Sequence, residues 1–184
     1  MKWLNEPREW KAEGENLSLV TQDKTDFWQA TFYGWRNDNG HFYYRDAAGD
    51  FTAEIKFRAD YTAHYDQAGL MLRLGPQDWV KAGVEFANGH CLLSSVYTRG
   101  LSDWAIGPKV PVHDRIHLRL TRKGAAVCVQ RAAGKAFQTL RLGAFAEERD
   151  VMIGPMACSP TRGGLKVRFE DFRIGAAVDF ATEV

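Results

Sequence analysis

The stretch WVKAGVEFANGHCLLSSVYT, residues 79–98, contains the clearest β-hairpin of the chain. Asn88-Gly89 predicts a type I′ turn, because both central positions of that turn need a positive φ that these two residues tolerate. A two-residue loop fixes the register, so that Ala87 faces His90 and the pairing runs outward to Trp79 and Thr98. One face then gathers a core side, made of Val80, Ala82, Val84 and Phe86 with Cys91, Leu93, Ser95 and Tyr97.

The hairpin belongs to a predicted four-stranded meander over residues 66–107. The expected strands are Asp66 to Leu74, Trp79 to Phe86, His90 to Thr98 and Ser102 to Gly107. A four-residue loop before Trp79 would mix apolar and polar side chains on both faces. We therefore expect a three- or five-residue loop, or a bulge, that brings Gln67, Gly69, Met71 and Arg73 onto the face of Trp79, Lys81 and Glu85.

This second face of the meander is called the polar face below. It also carries Ser94 and Thr98, and its two glycines are expected to leave room above the sheet for a close approach. A solvated outer face with Lys-Glu and Arg-Glu pairs is one interpretation. The other is the floor of a ligand site, because a Trp and a Met on an otherwise wet sheet need a cover.

The rest of the chain also has the two-residue period of β-strands. Residues 51–58 alternate apolar and polar side chains without a break, and residues 115–121 repeat the pattern before a Lys123-Gly124 turn and a partner strand at 125–129. A change of parity predicts a bulge near Glu170-Asp171. We expect one all-β domain over residues 1–184, with two packed antiparallel sheets.

Composition narrows the class of protein. The chain has 184 residues, 24 basic and 23 acidic side chains and a formal net charge of +1. Such a balanced charge gives no strong field to attract nucleic acid or anionic lipid. Residues 1–7 lack the apolar run of a secretory signal, and no stretch approaches the roughly 18 apolar residues of a membrane span. We expect a cytoplasmic protein without nucleic-acid or membrane partners.

Cofactor and metal motifs are absent from the sequence. Cys91, Cys128 and Cys158 are widely separated and odd in number, which favours buried free thiols over a disulfide framework or a Cys-x-x-Cys metal site. Gly-rich phosphate loops and nucleophile elbows do not occur. We expect no cofactor and no metal site, although a structural cation stays open.

Eight short motifs occur in order along nearly the whole chain. They are Trp3-Leu4-Asn5-Glu6-Pro7, Thr25-Asp26-Phe27-Trp28, Tyr33-Gly34-Trp35, Asp38-Asn39-Gly40-His41, Tyr65-Asp66-Gln67-Ala68-Gly69-Leu70-Met71, Trp79-Val80-Lys81-Ala82-Gly83-Val84-Glu85, Ser102-Asp103-Trp104 and Cys158-Ser159-Pro160. Together they resemble a domain-of-unknown-function family that includes the fungal regulation-of-enolase protein. The resemblance implies a concanavalin A-like lectin and glucanase jelly roll, whose concave sheet is the usual place for a sugar, and it implies no catalytic residue.

Glycoside hydrolysis needs two carboxyl groups about 5 to 9.5 Å apart, and residues i and i+2 of one strand are about 6.6 Å apart. The acidic pairs at that spacing are Glu13/Glu15 and Glu148/Asp150, both outside the expected strands. A cross-strand pair such as Asp66 with Glu85 stays open. A lyase or epimerase would use His41 or Tyr97 as a base near Lys81 and Arg73. The spacing supports none of these reactions, so we do not expect an enzyme.

Three tryptophans are candidates for stacking on a pyranose ring. Trp79 lies on the polar face, Trp104 follows Ser102-Asp103 after a turn, and Trp28 lies beside Asp26. We therefore hypothesise a non-catalytic intracellular protein that holds a saccharide or another polyhydroxylated metabolite on its concave sheet. The candidate ligand-binding residues are Gln67, Arg73, Trp79, Lys81, Glu85, Ser94, Thr98, Asp103, Trp104, Trp28 and His41. The alternatives are a protein-interaction module that regulates a metabolic enzyme, and a glycoside hydrolase or lyase.

Overall fold

The computed structural model describes residues 1–146 and 150–180. Its sixteen strands are β1 (Lys2–Leu4), β2 (Glu9–Glu13), β3 (Asn16–Val20), β4 (Phe27–Gln29), β5 (Arg36–Asp38), β6 (His41–Ala47), β7 (Phe51–Ala59), β8 (Gln67–Gly75), β9 (Asp78–Ala87), β10 (His90–Arg99), β11 (Leu101–Val110), β12 (Ile116–Lys123), β13 (Ala126–Ala133), β14 (Ala136–Ala144), β15 (Val151–Cys158) and β16 (Lys166–Gly175). Within the described ranges, no helix has the length and apolar character needed to cross a membrane.

Fourteen of the strands form two seven-stranded antiparallel sheets. The front sheet has the order β1-β6-β15-β8-β9-β10-β11, and the back sheet has the order β14-β13-β12-β7-β16-β3-β2. The remaining two strands, β4 and β5, pair only with each other. The predicted all-β jelly-roll sandwich is confirmed.

The two sheets enclose a core of alternate strand residues. Ile55 and Phe57 of the back sheet and Leu70, Leu72 and Val80 of the front sheet all belong to one buried cluster. Strand residues point alternately to the two faces of a sheet, so the side chains between these residues face outward. On the front sheet those outward residues form the predicted polar face.

The predicted register of the meander is confirmed. Ala87 pairs with His90 and Trp79 pairs with Thr98, around a turn where Asn88 and Gly89 have φ values of 52° and 78°. A register shift after Arg73 supplies the expected bulge between β8 and β9. It places Gln67, Gly69, Met71 and Arg73 opposite Glu85, Gly83, Lys81 and Trp79.

The predicted bulge in the last strand is also found. The register between β16 and β7 shifts after Glu170, and Asp171 has a φ of 55°. The prediction that all three cysteines are free and buried is likewise confirmed.

Most of the polar face is covered by the chain itself. Residues 24–40, called the covering hairpin below, contain β4 and β5 and lie over the front sheet. A second buried cluster joins Phe27 and Trp28 of this hairpin to Met71, Trp79 and Val96 of the sheet. The expectation that a Trp and a Met on this face need a cover is correct, and for Met71 and Trp79 the cover is protein.

The role expected of the two glycines on this face is wrong. A Cβ atom at Gly69 would lie 2.0 Å from the carbonyl oxygen of Ala82, and one at Gly83 would lie 2.0 Å from that of Ala68. The glycines therefore permit the close approach of β8 and β9, and they do not make room for a ligand.

Candidate functional site

A cavity of about 460 Å³ remains between the covering hairpin and the front sheet. This size falls within the roughly 300 to 1,000 Å³ range of small-molecule sites. Its lining residues are Lys24, Asp26, Trp28, Tyr33, Trp35, Asn37, Tyr65, Gln67, Lys81, Glu85, Val96, Trp104, Pro160 and Thr161. The lining combines an aromatic wall with a small number of convergent polar groups, as is typical of ligand sites.

Gln67 supplies an unpartnered amide at the floor of this cavity. Gln67 is 7% exposed as a residue, and among the described residues its side chain makes no hydrogen bond. Its amide atoms are not among the fully enclosed side-chain atoms that lack a partner in the described ranges, so they reach the solvent of the cavity. Both its N–H donors and its carbonyl acceptor are therefore available to a ligand.

Glu85 lines the cavity with one carboxylate oxygen held by hydrogen bonds, and among the described residues its other oxygen makes none. Its Oε2 accepts hydrogen bonds from Ser94 Oγ at 2.8 Å and from Trp104 Nε1 at 3.1 Å. Burial raises the pKa of Glu85, and the nearby Lys81 ammonium opposes that rise. The carboxyl group is thus fixed in orientation, and it can accept a hydrogen bond from a ligand hydroxyl through Oε1.

Lys81 links the floor of the cavity to the covering hairpin. Its Nζ lies 3.0 Å from Asp26 Oδ1 and donates to the Phe27 carbonyl oxygen at 2.8 Å. Burial is the largest single influence and lowers the pKa of Lys81, but the acidic groups around it, Asp26 foremost and Glu85 among them, together outweigh burial and raise the pKa. The ammonium therefore stays charged, and it has a third N–H donor beyond these two bonds.

Aromatic side chains form the wall and the mouth of the cavity. Tyr33 stacks on Trp35 with ring centroids 4.8 Å apart and planes 6° apart, and it meets the edge of Trp28 at 5.8 Å. The Tyr33 hydroxyl lies 3.4 Å from that of Tyr65, which comes from the loop before β8. Trp104, on β11, faces Tyr65 edge-on at 6.3 Å.

Backbone strain is concentrated around this cavity. Tyr65 lines it with a φ of 66°, and Ala30 and Phe32, in the turn that carries Tyr33, have φ values of 54° and 61°. Such conformations in residues other than glycine are disfavoured by about 1 to 3 kcal/mol each and cluster at ligand clamps. The turn is held by hydrogen bonds from Ala30 N to Trp35 O and from Gly34 N to Ala30 O.

Five predicted site residues line the cavity: Gln67, Lys81, Glu85, Trp104 and Trp28. Three others lie on the same face beneath the covering hairpin. Trp79 is fully buried and donates its indole N–H to the Pro76 carbonyl oxygen, so its expected role as a stacking platform is wrong. Arg73 is 3% exposed and bonded to Asp38, and Thr98 is fully buried beside Ser102.

The last three predicted residues do not line the cavity. Ser94 lies behind Glu85 and orients its carboxylate. Asp103 is exposed and paired with Arg141, away from the cavity. His41 is buried, with Nδ1 2.7 Å from the Asn5 carbonyl oxygen and Nε2 accepting from the Gln22 amide, so both of its ring nitrogens are occupied.

Sequence reasoning missed most of the lining that the covering hairpin supplies. Asp26, Tyr33, Trp35 and Asn37 come from residues 24–40, and Tyr65 comes from the loop before the meander. Four of these five residues, all but Asn37, occur in the motifs that carry the family resemblance. The family motifs were therefore the sequence feature that could have identified these four lining residues.

Of the carboxylates considered for hydrolysis, Glu85 lines this cavity, whereas its cross-strand partner Asp66 and the back-sheet residue Glu13 do not. Glu13 is the last residue of β2, on the back sheet, and it is exposed, although it was expected outside any strand. Glu148 lies outside the described residues. Asp66 is fully buried, and its carboxylate is bonded to Ser159 and Arg162.

Two further observations bear on the choice of site. A groove of about 610 Å³ on the back sheet is larger, but its charged lining is exposed and includes Arg168, which is paired with Glu170. The front cavity is preferred because the polar groups of its floor, Gln67, Lys81 and Glu85, are buried.

Among the described residues, no group of three or more His, Cys, Asp or Glu side chains is placed to hold a metal ion.

Comparison with known sequences shows the family of the chain. Residues 3–177 match the family described as "Protein of unknown function (DUF1349)". The chain is 39% identical over 175 residues to "Regulation of enolase protein 1" of Saccharomyces cerevisiae, across 95% of this chain and 88% of that protein.

Comparison with solved structures confirms the fold. A crystal structure of a functionally unknown protein from Saccharomyces cerevisiae has a TM-score of 0.93 and 38% identity, and the match covers 97% of both chains. The carbohydrate binding module CBM66 from Bacillus subtilis has a TM-score of 0.61 and covers 95% of both chains at 13% identity. At that identity the second similarity concerns the fold alone.

Proposed function

The chain belongs to the DUF1349 family, and we propose that it is a non-catalytic protein whose front cavity binds a saccharide or a similar polyhydroxylated metabolite. The observation that carries this proposal is the unpartnered amide of Gln67, which is 7% exposed and lines the cavity. A ligand with several hydroxyls would supply the hydrogen bonds that this amide lacks.

The neighbours of Gln67 support the same class of ligand. Lys81 offers one donor and Glu85 offers one acceptor oxygen at the same floor. Sugar hydroxyls both donate and accept, so they match a floor that presents both kinds of group. The aromatic wall of Trp28, Tyr33 and Trp104 suits the apolar C–H faces of a sugar ring.

A ligand panel tests the proposal. The full chain would be titrated by thermal shift and by calorimetry with glucose, galactose, mannose, xylose, arabinose, fructose and myo-inositol. We expect at least one probe to raise the melting temperature, since a ligand that binds only the folded state stabilises it. No response from a folded sample across the panel would remove the proposal.

A pair of glutamine variants tests whether the cavity is the binding place. Gln67→Ala removes the floor amide and should weaken the responding probe by about 10-fold, the effect of roughly one hydrogen bond. Gln77→Ala is the matched control, because Gln77 is exposed in the turn before β9. Equal affinity of both variants would place the binding elsewhere.

A second candidate function is an interaction module that regulates a metabolic enzyme. Phe32, at the tip of the turn between β4 and β5, is 93% exposed, and the relative at 39% identity is named for regulation of enolase. Large exposed aromatic residues are frequent anchors of protein interfaces.

Purified enolase is the probe for this second function. We expect it to bind the full chain, with at least about 10-fold weaker binding to Phe32→Ala. Leu142→Ala on β14 is the matched control, because Leu142 is also exposed, at 53%, on the back sheet. Absence of any association with the wild-type chain would remove this candidate. The cytoplasm is the compartment proposed for either function, and fractionation of cells that express the tagged chain would test it.

A further inference from the structure

The covering hairpin closes the front sheet at one side of the cavity. Beyond the floor, the outward face of β8 and β9 is occupied by Phe27, Met71 and Trp79, which are fully buried. The ion pairs Lys81–Asp26 and Arg73–Asp38 fasten this cover to the sheet. A polymer therefore cannot lie along the sheet across β8 and β9, as it would on an open sheet.

The mouth of the cavity carries a second aromatic surface. Trp35 lines the cavity and yet is 54% exposed. One face of its indole ring is stacked on Tyr33 at 4.8 Å. Since the stacked face is covered, the exposed area of the ring belongs largely to its other face. Because Trp35 is a lining residue and is largely exposed, its ring lies at the mouth of the cavity.

Hydrogen bonds within the turn between β4 and β5 fix the backbone position of Trp35. Trp35 O accepts a hydrogen bond from Ala30 N at 2.9 Å, across a turn with positive φ at Ala30, Phe32 and Gly34. Tyr33, on the same turn, is in contact with Trp28 and close to the Tyr65 hydroxyl. A strained turn that presents an exposed indole is favoured where the indole has a binding partner.

Building on the proposed function, we infer that the ligand is an oligosaccharide that enters the cavity by one terminal unit and stacks its second ring on Trp35. The inner unit contacts Gln67, Lys81 and Glu85, and the outer unit contacts the free face of Trp35. Later units extend into solvent.

A length series tests this inference. The monosaccharide that responds in the panel would be compared by calorimetry with its linear oligomers of two to six units. We expect the disaccharide to bind about 3- to 10-fold more tightly than the monosaccharide, the effect of one aromatic stacking contact. Affinity should not rise further with length.

Two variants separate the role of Trp35 from the general effect of truncating an exposed apolar side chain. Trp35→Ala should abolish the gain of the disaccharide and change the affinity of the monosaccharide by less than about 2-fold. Leu142→Ala is the matched control, because Leu142 is 53% exposed on the back sheet, much like Trp35, and does not line the cavity. It should leave both affinities unchanged, and thermal unfolding would verify that both variants fold.

The outcomes are distinguishable. Monosaccharide binding without a gain from the second unit, a gain that survives Trp35→Ala, or an affinity that keeps rising to six units would each overturn this inference and leave the proposed function standing. Absence of binding by every probe would remove the proposed function, and this inference with it.

Discussion

Arg73, on the front sheet, donates two hydrogen bonds to the carboxylate of Asp38, on the covering hairpin, at 2.6 and 2.8 Å. The side chain of Arg73 is 4% exposed, whereas that of Asp38 is 34% exposed. The two partners therefore differ in what each would lose without the other. The pair also fastens the cover that shapes the candidate site.

The first prediction is an asymmetry between the two halves of this pair. Asp38→Ala leaves a buried guanidinium without its counter-ion and should lower the free energy of unfolding by about 3 kcal/mol. Arg73→Met leaves a carboxylate that water can reach, and should lower it by about 1 kcal/mol. Urea unfolding followed by tryptophan fluorescence measures both, and equal losses would contradict the prediction.

The second prediction concerns Glu85→Gln. Burial raises the pKa of Glu85 above its ordinary value of 4.5, so ionisation of this group becomes unfavourable to folding as the pH rises through its folded pKa. Gln stays neutral, and its carbonyl oxygen can still accept from Ser94 and Trp104. We expect the variant to be the more stable protein at pH 7, by up to about 1 kcal/mol, with the difference vanishing below about pH 4.

The same substitution should weaken a bound saccharide. A hydrogen bond from a hydroxyl to a carboxylate is stronger than one to an amide oxygen, so the loss is expected to be about 10-fold in affinity. Chemical unfolding across a pH series and calorimetry with the responding sugar provide the two measurements. A variant that is destabilised at pH 7 would show that the charge of Glu85 supports the fold.

The third prediction is a loss of stability on acidification that depends on His41. Burial lowers the pKa of His41, and its neutral ring donates through Nδ1 to the Asn5 carbonyl oxygen and accepts through Nε2 from the Gln22 amide. The stability that it contributes is present above its unfolded pKa of about 6.5 and is lost as the pH falls toward its folded pKa.

Melting temperatures measured between pH 7.5 and pH 5 would test this prediction for His41→Gln. The variant should be less stable at pH 7.5 and should lose less stability on acidification than the wild type. His90→Gln is the matched control, since His90 is exposed at the start of β10. An unchanged pH dependence in His41→Gln would assign the effect to other groups.

The fourth prediction contrasts two glycines. A Cβ atom at Gly40 would lie 2.4 Å from the Phe27 ring and 2.6 Å from Cys158 Sγ, whereas one at Gly75 would meet no atom within 4 Å. Gly40→Ala should therefore destabilise the protein by about 1 to 3 kcal/mol through overpacking. Gly75→Ala should be neutral or stabilising by about 0.5 kcal/mol, because it restricts the unfolded chain. Thermal unfolding of both variants gives the comparison.

The fifth prediction is that the cysteine thiols are unreactive in the folded protein. Burial raises the pKa of Cys91 to about 11 and that of Cys158 to about 12, and the thiolate is the reactive form. Ellman's reagent should modify neither of them at pH 8 without denaturant, and both after unfolding in guanidinium chloride. Rapid modification of the native protein would indicate local opening of the front sheet.

The floor of the candidate site can be predicted from the sequence, because turn geometry and strand period place its residues on one face of the sheet. The Asn88-Gly89 turn sets the register of β9 and β10, and the two-residue period of a strand then places Lys81 and Glu85 on one face. Adding the bulge after Arg73 places Gln67 on the same face. Backbone rules alone decide these facts, so they hold before any packing is known.

Only the tertiary structure decided what lies above that face. The two-residue period places Trp79, Arg73 and Lys81 on the same face and the covering hairpin buries all three, yet of these three it is Lys81 that lines the cavity. The hairpin reaches the sheet through contacts between residues far apart in sequence, such as Asp38 with Arg73, and no local period encodes them. The sequence by itself thus determined the fold and one face of the sheet, and long-range packing determined which part of that face a ligand can reach.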